Sequence, residues 1–237
     1  MNAALHRFAV FVSGATFVLV FVGGLVTSTG SGLAVPDWPL SFGMVFPPMV
    51  GGVLFEHGHR MVAAAVGALV GALYVWTIVG KRRPPVSTLA ACALGTVVLQ
   101  GLLGGLTVLL KLPPAVSVAH ACLAQAFLCL TIAIAVVTGG VWTAARATPE
   151  RAALPLKALG LATTAAVYVQ LILGAVMRHT DAGLAIPDFP LAFGRVVPPL
   201  FDPKVQIHFA HRVGALVVSA MVVWTVSRIL REHVGER

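Results

Sequence analysis

Charge is scarce in this sequence. Of its 237 residues, 16 are Lys or Arg and 8 are Asp or Glu, so charged side chains make up only 10%. A soluble domain of this length needs far more polar surface to stay dissolved. Cysteine is nearly absent as well. Cys92, Cys122 and Cys129 all lie inside apolar segments and form neither a CxxC pair nor a zinc-type spacing, so they read as small buried residues. There is no glycine-rich phosphate loop, no Ser-His-Asp arrangement and no zinc-metalloprotease helix. The net charge of +8 sits in short basic clusters between apolar runs, which is a membrane-topology pattern and argues against nucleic acid as a partner. The apolar runs do not alternate, which excludes a β-barrel.

What is abundant is apolar length. The chain is 58% hydrophobic with a mean hydropathy of +0.95. Six runs approach the ~20 residues that cross a bilayer core, near 8–28, 59–80, 87–110, 115–140, 153–177 and 208–230. In the bilayer each must satisfy its backbone internally, so an all-α membrane protein of six transmembrane helices is expected. The stretch Phe8–Val26 is long enough to span and no small-residue cleavage site precedes a soluble domain, so it reads as the first helix rather than a signal peptide. One side of the membrane would carry Arg7, Lys81, Arg82, Arg83, Arg146, Arg151, Lys157, Arg228, Arg231 and Arg237. The other would carry Arg60, Lys111, Arg178, Arg195, Lys204 and Arg212. The excess on the first side puts both termini in the cytoplasm and turns two long loops, 29–58 and 178–207, outward.

These loops are copies of one another. Gly32-Leu33-Ala34-Val35-Pro36-Asp37-Trp38-Pro39-Leu40-Ser41-Phe42-Gly43 matches Gly183-Leu184-Ala185-Ile186-Pro187-Asp188-Phe189-Pro190-Leu191-Ala192-Phe193-Gly194 at a constant offset of 151 (183 − 32). Pro47-Pro48 matches Pro198-Pro199, and His59-Arg60 matches His211-Arg212 one residue further on. A tandem repeat follows, with both copies in the same membrane orientation and related by an axis along the membrane normal. The expected division is a first four-helix half, 1–143, and an incomplete second copy with two helices, 144–237. The second-copy equivalent of His120 would fall near position 271 (120 + 151), past Arg237.

Histidines carry the chemistry. His59 opens the second span and His120 lies about one turn inside the fourth, so both imidazoles sit within roughly 10 Å of the outer surface on different helices. Two helices at matched depth can present axial ligands to opposite faces of a porphyrin. The plainer alternative is a pair of interfacial polar residues, but ionisable groups within spans are costly and usually functional. Glu56 falls on the face of His59 if that helix starts a turn early, and could orient the ring, accept a proton or act as a first-turn acid. His208 takes its place in the second copy. Arg60 and Arg212 suit either a heme propionate or interfacial anchoring. His57, His179 and His208 read as interfacial or loop residues, His208 with the further option of assisting His211. Gly23-Gly24, Gly104-Gly105 and Gly174, near the outer helix ends, would let helices or a flat cofactor approach closely. Trp38 and Phe189 suit interfacial aromatics or lids. Asp37 and Asp188 sit between prolines, where turn formation accounts for both.

The segment Glu56-His57-Gly58-His59-Arg60, the doubled loop and the intramembrane His120 together resemble heme A synthase, over nearly the whole chain. The resemblance implies an enzyme that oxidises a methyl group of heme O to the formyl group of heme A for terminal oxidases. It also implies a bundle of two four-helix halves. His59 and His120 would hold the substrate heme, Glu56 would be the essential carboxylate, and His211 would ligate a heme b cofactor in the second half, whose other ligand is missing here. That heme would then bind through His211 alone, through a partner chain, or not at all. Many family members carry cysteine pairs in the outer loops; this chain has Ala34 and Ser41, and Ala185 and Ala192, and so resembles the cysteine-free type. Hydroxylation needs electrons and an oxygen source, and no flavin, nicotinamide or iron–sulfur motif is visible, so an external electron donor is implied. A heme O synthase or a second copy of the chain are further candidate partners. The competing readings are a non-catalytic membrane cytochrome b and a heme-handling assembly protein; a transporter fits least, because no broken helix or central charge is evident.

Overall fold

The computed structural model describes residues 3–80, 84–140, 142 and 155–233. Lys81, Arg82, Arg83, Arg146, Arg151 and Arg237, which weighed in the orientation, lie outside the described residues, as does the expected boundary between halves. Six α-helices run in order: α1 (Ala3–Ser28), α2 (Gly52–Val79), α3 (Pro84–Leu109), α4 (Pro114–Val137), α5 (Leu156–His179) and α6 (Pro203–His233). Among the described residues the β-structure is confined to two isolated bridges, Ser41 with Met44 and Ala192 with Arg195. All six helices are long and apolar enough to cross a membrane, and the chain is a multi-pass membrane protein.

Three helices start five or more residues before expectation: α1 at Ala3 rather than 8, α2 at Gly52 rather than 59, and α6 at Pro203 rather than 208. Hydropathy ends each span where polar residues begin, but here Glu56, His57 and His208 are buried against the outer loops instead of marking loop. The loops shrink to 29–51 and 180–202. The 28 residues of α2 rise about 42 Å, more than the ~30 Å hydrocarbon core, so its first turns can stand in the interface. Proline at the start of α3 and α4 lacks the N–H that a first turn would leave unpaired, and supplies a helical φ.

The chain divides into two compact units, Met1–Arg146 and Ala147–Arg237. In the first, α1 packs on α2, α2 on α3, α3 on α4 and α4 back on α1, while neither diagonal pair touches. The result is a closed ring of four helices. Its apolar core is one-sided: Leu5, Val12, Val66, Leu73, Ala93, Phe127 and Ile134 fill the end where α1 and α3 begin and α2 and α4 finish. At the opposite end the buried side chains turn polar, with Ser41, Glu56, His57, Thr107 and Ser117. The second unit is an α5–α6 hairpin with a small cluster of Ile186, Ala192 and Val205 beneath its loop.

Candidate functional site

His59 and His120 meet the polar end of the first unit from α2 and α4, the diagonal helices that do not touch. They lie seven and six residues into their helices (59 − 52 and 120 − 114), about 9–11 Å along each axis, and are within electrostatic reach of one another. Each ring rests in a notch on the preceding helix. A Cβ on Gly23 of α1 would come 3.0 Å from His59 Cε1, and one on Gly104 of α3 would come 3.3 Å from His120 Cε1. Gly174 of α5 does the same for His211 of α6, at 3.1 Å. Any larger residue would push the imidazole off the helix backbone, so the outward glycines admit a ring first and helix packing second. Nδ1 of His59 is buried with no hydrogen-bond partner. Among the described residues no cluster of three or more His, Cys, Asp or Glu side chains could hold a bare metal ion. Two imidazoles on helices that face each other across the four-helix ring, each seated on glycine, fit a flat macrocycle.

The loop beside this pair is tied down by side chains read from the sequence as possible site residues. Glu56 is buried, and its Oε2 accepts the Val35 N–H at 2.8 Å while Oε1 accepts Arg60 Nη2 at 2.6 Å. Arg60 also donates to the carbonyls of Asp37 (2.7 Å), Leu40 (2.9 Å) and Val35 (3.2 Å). Its two Nη groups are thus shared between the loop's carbonyls and the Glu56 carboxylate. Asp37 accepts the N–H groups of Phe42 and Gly43 at 2.7 and 2.8 Å. That closes a turn in which both residues have positive φ, 53° and 69°. The hydrogen bonds from Gly43 and then Phe42 hold the Asp37 carboxyl below the usual carboxylate range. Trp38 reaches α3, where its ring occupies the space a side chain on Gly105 would need. It therefore packs on α3 one residue beyond the glycine that seats His120.

The second unit repeats the turn and alters the clamp. Asp188 accepts from Phe193 and Gly194 at 2.7 and 2.8 Å, and Gly194 followed by Phe193 lowers its pKa in the same way. The Trp38–Pro39 and Phe189–Pro190 bonds are both cis. Arg212 donates to the carbonyls of Asp188, Leu191 and Ile186, as Arg60 does to their counterparts. Where Glu56 stands in the first unit, His208 takes the Ile186 N–H on Nδ1 at 3.1 Å and Arg212 Nε on Nε2 at 3.1 Å. His208 thus serves the loop. Phe189 is 85% exposed, with the Arg212 guanidinium 5.8 Å from its ring centre.

Two features carry no sequence expectation. Ser41 Oγ and His57 Nδ1 are 2.8 Å apart and both residues are buried; their counterparts, Ala192 and Phe209, make an apolar contact instead. Gln100 of α3 donates to the His120 carbonyl at 3.1 Å, and Gln170 of α5 to the His211 carbonyl at 2.8 Å. Each glutamine lies four residues before its notch glycine (104 − 100 and 174 − 170), so a lone amide within an apolar span was the available signal.

The family model described as cytochrome oxidase assembly protein matches residues 50–236. A heme A synthase of Symbiobacterium thermophilum is 37% identical over 240 residues, covering 95% of this chain and 76% of its own length. Heme A synthases of Halalkalibacterium halodurans and Shouchella clausii are 34% and 32% identical, covering 96% and 95% of this chain and 78% and 77% of their own.

Proposed function

This chain belongs to the heme A synthase family of cytochrome oxidase assembly proteins, and we propose that it is the oxidoreductase that converts a methyl group of heme O to the formyl group of heme A for terminal oxidase biogenesis. The observation that carries the reading is the His59–His120 pair on facing helices, each ring in a glycine notch at the polar end of the first unit.

His59 and His120 hold the substrate heme from its two faces, and His211 binds a heme b cofactor in the second unit. Heme b, when bound, supplies a one-electron redox centre. The chain's own residues supply position. Glu56 and Arg60 fix the loop that lies beside the substrate histidines, and Trp38 seals it against α3. Glu56 holds the loop through the Val35 N–H and through Arg60, and from that position assists proton movement or stabilises a developing cation. Arg212 and His208 hold the second loop in the same manner. Electrons come from an external donor and heme O from a heme O synthase, with a second copy of the chain as a further partner. The setting is the cytoplasmic membrane, with both termini in the cytoplasm.

The test is incubation of the purified chain with heme O, a chemical reductant and air, followed by chromatography of the extracted hemes. A hydroxylated or formyl product is expected from the wild type, and bound but unconverted heme from Glu56→Ala. Conversion by Glu56→Ala at the wild-type rate would remove Glu56 from the mechanism. Reversible heme spectra without any product from the wild type would favour a non-catalytic cytochrome b.

A further inference from the structure

The three histidines are held in different ways, and the difference lies one turn before each glycine notch. On α5, the Gln170 amide nitrogen is 2.8 Å from the His211 carbonyl and 3.0 Å from His211 Nδ1. Its Oε1 is buried with no hydrogen-bond partner, and it occupies the space that a side chain on Gly214 would need. On α3, Gln100 holds the His120 carbonyl, and its Oε1 is likewise buried and unfilled. On α1, the residue four before Gly23 is Leu19, so no amide reaches His59.

An imidazole that binds iron through Nε2 carries its proton on Nδ1, and that proton needs an acceptor. An amide nitrogen beside Nδ1 cannot accept it, but the unfilled oxygen of the same amide can. The terminal torsion of glutamine is broad, so a turn about it, with a small shift of the side-chain stem to keep Nε2 within reach of the carbonyl, brings Oε1 to Nδ1–H. Oε1 then leaves the position it now holds where a Cβ on Gly214 would be.

We propose that Gln170 is the positioning residue of His211, gripping it at two points, the backbone carbonyl and the ring Nδ1–H, so that Nε2 is presented to a resident heme. The proposal rests on the assignment of His211 as a heme ligand. It also separates the sites by function. The imidazole held at both ends serves a heme that stays, whereas His59, seated on glycine alone, serves a substrate that must enter and leave. Partners of this kind set the tautomer and basicity of a metal-ligating histidine.

The test uses the full chain loaded with heme b, and Gln170→Leu and Gln170→Glu variants, with heme retention during gel filtration and the midpoint potential as readouts. Gln170→Leu is expected to weaken retention roughly 10–100-fold, the range seen when such a partner is lost. Any heme it keeps should show a raised potential, because the ligand is less basic. Gln170→Glu, a stronger acceptor for Nδ1–H but no donor to the carbonyl, should lower the potential of the heme it keeps. Wild-type potential in both variants would overturn the proposal. So would loss of heme in Gln170→Leu combined with an unchanged potential in Gln170→Glu, since that pattern reports packing alone. A wild-type chain that binds no heme would instead remove the assignment of His211, and the proposal with it.

Discussion

The two outer loops share a sequence, a turn and an arginine, yet the buried group beneath them is a carboxylate in one and an imidazole in the other. Glu56 offers two oxygens, and both the Val35 N–H and the Arg60 guanidinium use one. His208 is asked to accept at both ring nitrogens, from Ile186 N–H and Arg212 Nε. A neutral imidazole has one acceptor nitrogen, so only one of these can be a true hydrogen bond at a time. The same backbone trace is therefore held by a charged, fully satisfied clamp in the first unit and by a half-satisfied one in the second. The rest of the contrast points the same way. Ser41 and His57 bond in the first unit where Ala192 and Phe209 only pack in the second, and Trp38 is seated on α3 where Phe189 stands exposed. On the proposed assignment of the histidines, the firmer loop lies beside the pair that would position the reacting methyl group and the looser one beside the resident heme.

The largest expected effect comes from removing each clamp. Glu56→Ala strands the buried Val35 N–H and takes the carboxylate from half-buried Arg60, and should destabilise the first unit by about 2 kcal/mol. His208→Ala strands one neutral donor and should cost the second about 1 kcal/mol. Thermal unfolding in detergent compares them, and equal losses would erase the distinction between the loops. Exchanging the groups sharpens it. Glu56→His should loosen residues 29–51 to hydrogen exchange, while His208→Glu should protect 180–202.

Next in size is the notch. Gly23→Ala drives a methyl group onto the His59 ring, whereas Gly24→Ala meets nothing within 4 Å. The first should lower heme O binding roughly tenfold or more, since a ligand displaced from its seat loses its geometry, and the second should leave binding unchanged. Titration of the two variants with heme O, followed by its visible spectrum, distinguishes them.

The smallest effect concerns the turns, which the two copies share. The folded pKa of Asp37 and of Asp188 lies below the ordinary 3.8, so each carboxylate stabilises its turn fully above that value. The contribution is lost as pH falls through the lower folded value. Pepsin cleavage within 29–51 and 180–202 should therefore rise together at strongly acid pH. A rise in one loop alone would show that the turns are not equivalent.

The six spans, the repeat and the three histidines were legible because each is written in residue type and spacing. Apolar length announces a membrane helix, and the constant offset announces a duplicated loop. The starts of α2 and α6 were not, because hydropathy scores Glu56, His57 and His208 as polar whatever they bond to, and their partners are loop groups folded over them. The loop contacts of Arg60 and Arg212 were hidden for the same reason. Backbone carbonyls accept from any residue type, so nothing in the sequence marks Asp37, Leu40 or Val35 as acceptors. Gly23, Gly104 and Gly174 were visible as small residues, but which ring each one seats depends on helix rotation, which only packing decides.

The most direct measurement is the mass of the hemes extracted from membranes of a strain that makes heme O, lacks its own heme A synthase and carries this chain. Heme A or its hydroxylated intermediate is expected, and should be lost when His59 or His120 is replaced by alanine. Heme O alone, with the chain present in the membrane and heme bound to it, would overturn the proposed oxidation.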